Sequence, residues 1–209
     1  MSFLVYNIIM LKKCFSIIST IICFIVFLYL LIAIAMNKSL YIDNLGALIA
    51  GNRIVFFDIF FKVFTYIGSV YFMVGVCVVW LICDKDKKRA WSVVTCLAVV
   101  GLLNLFVKLG VGRARPDYGL ISESGMSFPS GHAMISVCFY GYIAYMLAAI
   151  KNKHGWIYGL IAGILSILLG FSRIYLGVHY VSDVLAGLAL GCVVLYIYIL
   201  VYSKIRHKK

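Results

Sequence analysis

A chain of 209 residues that is 65% hydrophobic and only 12% charged is too apolar for an ordinary water-soluble domain. Its net charge of +12 would suit a nucleic-acid partner, but the Lys and Arg residues fall in short segments between apolar runs, not on one continuous basic face. No nucleic acid is expected, and the length suits one integral-membrane domain over residues 1–209.

A transmembrane helix needs about 20 mostly apolar residues. Six stretches meet that need, near Cys14–Met36, Tyr66–Cys83, Ala90–Leu109, Ala133–Ile150, Gly155–Phe171 and Val184–Tyr202. The expected fold class is all-α, a polytopic membrane protein of six transmembrane helices with an interfacial helix before the second. The first run ends in Ala33-Ile34-Ala35, a faint likeness to a signal-peptidase site, yet it is longer than a signal-peptide core. An uncleaved first helix is the reading. From Asn37 to Thr65, Phe56, Phe57, Phe60, Phe61 and Phe64 recur at helical spacing beside Asp58 and Lys62, an i,i+4 pair. This predicts an aromatic amphipathic helix in the membrane interface. The plainer alternative is an extension of the second span.

Charge sets the expected orientation. Lys12, Lys13, Lys85, Lys87, Lys88, Arg89, Lys151, Lys153, Lys204, Arg206, Lys208 and Lys209, twelve of the 19 cations, fall on one side of the six-span layout. Lys38, Arg53, Lys62, Lys108, Arg113, Arg115 and Arg173 fall on the other. The positive-inside rule then puts both termini in the cytoplasm and the remaining polar clusters outside the cell membrane. The loop Asp84 to Arg89 is read as a topology determinant, with anionic headgroup binding as its second reading. Seven cysteines (Cys14, Cys23, Cys77, Cys83, Cys96, Cys138 and Cys192) lie in or beside apolar runs without metal spacing, and read as small buried hydrophobes.

Three polar clusters interrupt the second half, where a charge beside a membrane span is costly unless it has a partner or a function. The first is Lys108 with Arg115-Pro116. Gly110 and Gly112 predict that the helix ends between them and that a loop brings the two cations together. A guanidinium fork and an ammonium both suit phosphate oxygens; the bland reading is a snorkelling Lys108 with Arg113 and Arg115 as outer-loop charges. The second cluster is Pro129-Ser130-Gly131-His132, just before an apolar run. Backbone N–H groups at a helix start form an anion site, and His132 stands beside it as a candidate proton donor. An N-cap by Ser130 is the alternative. The third is Ser172-Arg173 with His179 and Asp183. The i,i+4 spacing lets Asp183 hold one imidazole nitrogen and leave the other free as a nucleophile.

In order and spacing these clusters resemble the three-part signature of the type 2 phosphatidic acid phosphatase superfamily. The pattern is Lys, six residues, Arg-Pro; then Pro-Ser-Gly-His; then Ser-Arg, five residues, His, three residues, Asp. Lys108, Arg115, Pro116, Pro129, Ser130, Gly131, His132, Ser172, Arg173, His179 and Asp183 match every position. The Thr65-Tyr66-Ile67-Gly68-Ser69 stretch also looks like the family. The resemblance implies a two-step phosphoryl transfer. His179 attacks phosphorus, Asp183 orients it and His132 protonates the leaving group. Lys108, Arg115, Arg173, Ser130 and the Gly131 N–H hold the phosphoryl oxygens. Three fixed cations can neutralise the transferring group without a metal or cofactor, and seven carboxylates in the whole chain leave no acidic cluster for one.

The expected function is therefore metal-independent hydrolysis of a membrane lipid phosphate, undecaprenyl pyrophosphate being the leading candidate. Phosphatidylglycerol phosphate, phosphatidic acid and a phosphotransferase activity are the alternatives. A vanadate-dependent haloperoxidase shares the signature, but those relatives are soluble. A flippase that only binds headgroups would need neither His132 nor the His179/Asp183 pair. The expected partners are the bilayer and its lipid phosphate; the sequence sets no oligomeric state.

Overall fold

The computed structural model describes the backbone of residues 3–36, 40–151 and 155–207, and the side chains of the same stretches apart from 3–15, 150–151 and 207. Of the cations counted above, Lys38, Lys153, Lys208 and Lys209 lie outside the described residues, as do the side chains of Lys12, Lys13 and Lys151 and that of Cys14.

All regular structure among the described residues is helical: α1 Phe3–Ala35, α2 Asp43–Gly51, α3 Val55–Phe64, α4 Val70–Cys83, α5 Lys87–Val111, α6 Gly131–Lys151, α7 Gly155–Tyr175 and α8 Val181–His207. Even β-branched runs such as Ile17-Ile18 and Ile21-Ile22 go helical, because in hydrocarbon each backbone N–H and C=O needs a partner within its own segment. Five helices are long and apolar enough to cross a membrane.

The second span differs from expectation. It does not begin at Tyr66: Thr65–Gly68 is a 3₁₀ turn, and α4 has only 14 residues. At 1.5 Å per residue that is about 21 Å, short of the ~30 Å hydrocarbon core. α3 joins α4 across the turn with a 47° bend, and the pair makes a sixth span if it crosses as one. Segment 40–65 holds two helices before that turn, α2 and α3, where the sequence predicts one. Nor does Asp58 pair with Lys62, since its carboxylate receives the Tyr175 hydroxyl at 2.9 Å, tying α3 to α7. Of the described cysteines, Cys77, Cys96 and Cys138 are buried as expected, whereas Cys83 is exposed.

Helix ends follow local chemistry. Ser69 caps α4 by accepting the Phe72 N–H, and Asp86 caps α5 by accepting that of Arg89. At the other end of α5, Gly112 takes φ +66°, the left-handed region open to glycine, and its N–H closes on the Lys108 carbonyl at 2.9 Å. The helix ends at Val111, three residues past Lys108 and within the stretch where Gly110 and Gly112 predict an end.

Helix α6 packs against α5, α7 and α8. Its contact with α8 is backbone on backbone: a Cβ at Gly187 would lie 2.7 Å from the Ser130 oxygen, and one at Gly191 2.7 Å from that of Met134. Small residues four apart allow this close approach in membranes. The turn before α6 is thereby pressed onto the first turns of α8, where the Ser130 N–H donates to the Asp183 carbonyl at 3.0 Å. The C-terminal ends of α5 and α7 and the N-terminal ends of α6 and α8 meet at one end of the bundle. At the other, Arg206 pairs with Asp86 at 2.7 Å and Arg89 with Asp84 at 2.6 Å, so the basic loop and the end of α8 lie together.

Candidate active site

The segment from Gly112 to Ser130 has no helix and wraps over the site end of the bundle. Lys108, in the last turn of α5, donates from Nζ to the Met126 carbonyl at 2.5 Å and approaches that of Ser127 at 3.4 Å. Arg115 donates to the carbonyls of Ser124, Gly125 and Val178, and its Nη1 stands 3.2 Å from His179 Nε2. The two cations therefore both hold the loop, and Arg115 also reaches the third cluster.

His179 sits in the turn between α7 and α8, 2% exposed, with Asp183 fully buried in the first turn of α8. The pair is arranged as the i,i+4 spacing predicts, with Nδ1 facing Asp183 Oδ2. At 3.5 Å this is an electrostatic contact at the limit of hydrogen bonding. The Ser127 hydroxyl fills in: it donates to Asp183 Oδ2 and lies 3.3 Å from His179 Nδ1. Arg115 can only donate, so the nitrogen it faces, Nε2, is the lone-pair nitrogen. Burial pulls the His179 imidazole down to about 4, against the upward pull of Asp183. It is therefore neutral at pH 7, with Nε2 unprotonated and a guanidinium alongside.

Arg173, at the end of α7 and 1% exposed, donates from Nη1 to Thr65 Oγ1 at 2.8 Å and from Nη2 to Glu123. Its Nε is enclosed and has no hydrogen-bond partner. The Ser130 hydroxyl is likewise buried without a partner, so it is not the helix cap that was the alternative reading. Gly131 and His132 open α6. His132 lies within electrostatic reach of Arg173, His179, Arg115 and Lys108, which brings all three clusters to one place. Its ring packs closely on the 3₁₀ turn: a Cβ at Gly68 would be 2.7 Å from His132 Cδ2.

Several side chains of this site were not singled out in the sequence. Ser127 bridges the His179/Asp183 pair, and Thr65 receives Arg173. Glu123 pairs with Arg173 and stands 3.8 Å from Arg115. Burial alone would raise its carboxyl, but Arg173 more than offsets that and holds it below the usual carboxylate range. Thr65 and Gly68 fall in the stretch noted beside the signature; Ser127 and Glu123 were visible only as polar loop residues. A cleft of about 370 Å³, lined by Arg115, Asp117, Ser122 and Glu123 among others, opens next to the site.

Residues 89–207 match the model of the PAP2 superfamily, more than half of the chain. The chain belongs to the PAP2 superfamily. It is an integral-membrane phosphatase of that family, and its signature residues form the site just described. It is 38% identical over 140 residues to phosphatidylglycerophosphatase B of Bacillus subtilis strain 168, covering 64% of this chain and 69% of that one. A crystal structure of a transmembrane PAP2-type phosphatidylglycerolphosphate phosphatase from Bacillus subtilis superposes with a TM-score of 0.80 at 30% identity, over 90% of this chain and 97% of that one. The undecaprenyl-diphosphatase of Sulfolobus acidocaldarius is 29% identical over 132 residues, covering 59% of this chain and 60% of that one.

Proposed function

We propose that this PAP2 protein is a metal-independent lipid phosphate phosphatase working through a phosphohistidine on His179. The observation that carries the reading is a pair of buried donors with nothing to bind, Arg173 Nε and Ser130 Oγ. Leaving such groups unsatisfied costs about 1–3 kcal/mol each, and phosphoryl oxygens would satisfy both. Lys108, Arg115 and the Gly131 N–H complete a set of donors matched to a group whose negative charge is spread over three oxygens.

In the first step the Nε2 lone pair of His179 forms a bond to phosphorus as the bond to the lipid oxygen breaks. His132 gives that oxygen its proton, and Asp183, through Ser127 and directly, steadies the charge gathering on the imidazole. In the second step His132 takes a proton from water, the water oxygen bonds phosphorus, the N–P bond breaks and inorganic phosphate leaves. An alcohol in place of water would give phosphotransfer, so water access decides the outcome.

As substrate, phosphatidylglycerol phosphate precedes undecaprenyl pyrophosphate, supported by the likeness to a Bacillus subtilis phosphatidylglycerophosphatase in sequence and in structure. Undecaprenyl pyrophosphate is kept by the archaeal relative and by its better leaving group. The site faces the outer side of the cell membrane, both termini the cytoplasm, as the charge distribution supports. Phosphate release by the purified protein from phosphatidylglycerol phosphate, undecaprenyl pyrophosphate and phosphatidic acid tests the reading. Turnover of at least one is expected, it should persist in EDTA, and vanadate should inhibit it. No release from any of them, or loss on chelation restored by Mg²⁺, would overturn it.

A further inference from the structure

Each oxygen of the buried Asp183 carboxylate has its own donors. Oδ2 receives the Ser127 hydroxyl and the Tyr180 N–H, and faces His179. Oδ1 receives Arg113 Nη1 at 2.6 Å. Arg113 also donates to Ser182 Oγ at 2.7 Å and, from Nη2, to Asp43 Oδ2 at 2.8 Å, with its guanidinium carbon 4.0 Å from the Tyr180 ring centre. Asp43, the first residue of α2, in turn accepts the N–H and the hydroxyl of Ser182, both at 2.9 Å. Arg113 and Arg115 are two apart in a non-helical segment, a spacing that puts side chains on the same side of an extended chain. Both reach the α7–α8 turn, but Arg115 goes to His179 and Arg113 to Asp183.

We propose that Arg113, held in place by Asp43, is a positioning residue for the phosphoryl transfer: it keeps the Asp183 carboxylate charged and turned so that its other oxygen faces His179. This rests on the assignment of His179 as nucleophile. Before attack the imidazole is neutral, so it offers Asp183 no counter-charge. A buried carboxylate without one is costly and would take up a proton instead. Arg113 supplies that counter-charge at Oδ1 and leaves Oδ2 free for the imidazole as it becomes cationic. Asp43 occupies the second arm of the guanidinium, so Arg113 does not swing into the phosphate-binding cations two residues away.

The pH profile of kcat reads this directly, because the position of its acid limb does not depend on how much of a variant is folded. The other titratable groups facing the His179/Asp183 pair are Lys108 from α5, His132 from α6, Arg115, Glu123 and Tyr118 from the loop, and Tyr180 from the turn. All are left in place in the variants. In Arg113→Gln, Asp183 holds its proton to higher pH and pulls more strongly on the proton of His179; both effects move the acid limb upward, by about one pH unit. Its kcat falls by roughly 10²-fold, as for a misplaced catalytic group, with KM unchanged, and Arg113→Lys recovers part of both. Asp43→Asn leaves one acceptor oxygen where Asp43 uses two and sets an amide N–H against the donors of Arg113 and Ser182, so it loosens the hold on Arg113. Its limb therefore moves upward too, by less than in Arg113→Gln, and the double variant moves no further than Arg113→Gln alone, which two independent structural contacts would not give. An unmoved limb in Arg113→Gln, or a loss confined to KM, would overturn the inference while leaving the phosphatase reading intact. A wild-type protein that releases no phosphate would remove the reading on which it rests.

Discussion

His179 owes its expected reactivity to three neighbours acting on different atoms. Arg115 faces Nε2, Ser127 and Asp183 face Nδ1, and burial keeps the ring neutral down to about pH 4. His179→Ala should therefore reduce phosphate release by at least roughly 10⁴-fold in a protein that still purifies as a folded species, as loss of a nucleophile does elsewhere. Asp183→Asn should cost less, because it removes orientation and charge but not the attacking atom. Near-normal release by the alanine variant would place the nucleophile elsewhere. His132 depends on its neighbours in another way, through space left by Gly68. A methyl group there would lie 2.7 Å from the ring and 3.2 Å from Leu169, so Gly68→Ala must push the imidazole off its place. General-acid help contributes about 10²–10⁴-fold and matters most for a poor leaving group. Gly68→Ala and His132→Ala should both slow the cleavage of lipid monophosphates more than that of pyrophosphates. Equal losses on the two substrate types, in steady-state assays, would remove His132 as the leaving-group acid.

The loop from Gly112 to Ser130 shows at the level of elements what a sequence reveals and what it conceals. The signature residues were legible because each lies beside a helix end that glycine, proline or a hydrophobic boundary announces, and the ends of a bundle meet by packing. Ser127, Thr65 and the Arg113–Asp43 contact were not, since each partner is 52 or more residues away and no local periodicity encodes the pairing. The bend before α4 was hidden for a related reason. Hydropathy registers an apolar window but not a 3₁₀ turn inside it, and that turn delivers both Thr65 and Gly68 to the site. Glu123 is the loop's own anion, resting on the cations proposed to take phosphate. Its carboxylate must give way when a phosphoryl group arrives. Glu123→Gln should thus tighten vanadate inhibition, by about fivefold, the scale of a partly exposed ion pair worth about 1 kcal/mol or less. An inhibition constant that rises instead would mean that Glu123 helps to hold the ligand and does not compete with it.

Across the whole molecule, α8 separates two chemically different ends. Asp183 in its first turn and Arg206 near its last lie about 35 Å apart at the helical rise, more than the ~30 Å hydrocarbon thickness. The candidate site is thus at one membrane face and the basic cluster of Lys85, Lys87, Lys88, Arg89 and Arg206 at the other, whichever way the bundle is inserted. The proposed insertion direction rests on the tendency of Lys and Arg flanking short loops to stay cytoplasmic. The signature cations have partners of their own, Arg173 on Glu123 and Arg115 on backbone carbonyls, which would offset the cost of placing them outside. With the bent pair as one span the count is six, an even number that returns both termini to one side. Thiol labelling in intact cells tests this. Ser122 in the site loop and Lys85 in the basic loop are both exposed, so each accepts a cysteine with little cost to packing. The natural Cys83 lies next to the basic loop and is exposed, so the background should carry Cys83→Ser. Ser122→Cys should then react with a membrane-impermeant maleimide added outside, whereas Lys85→Cys should react only after permeabilisation. The reverse pattern would put the site in the cytoplasm, and with it a substrate presented on the inner leaflet.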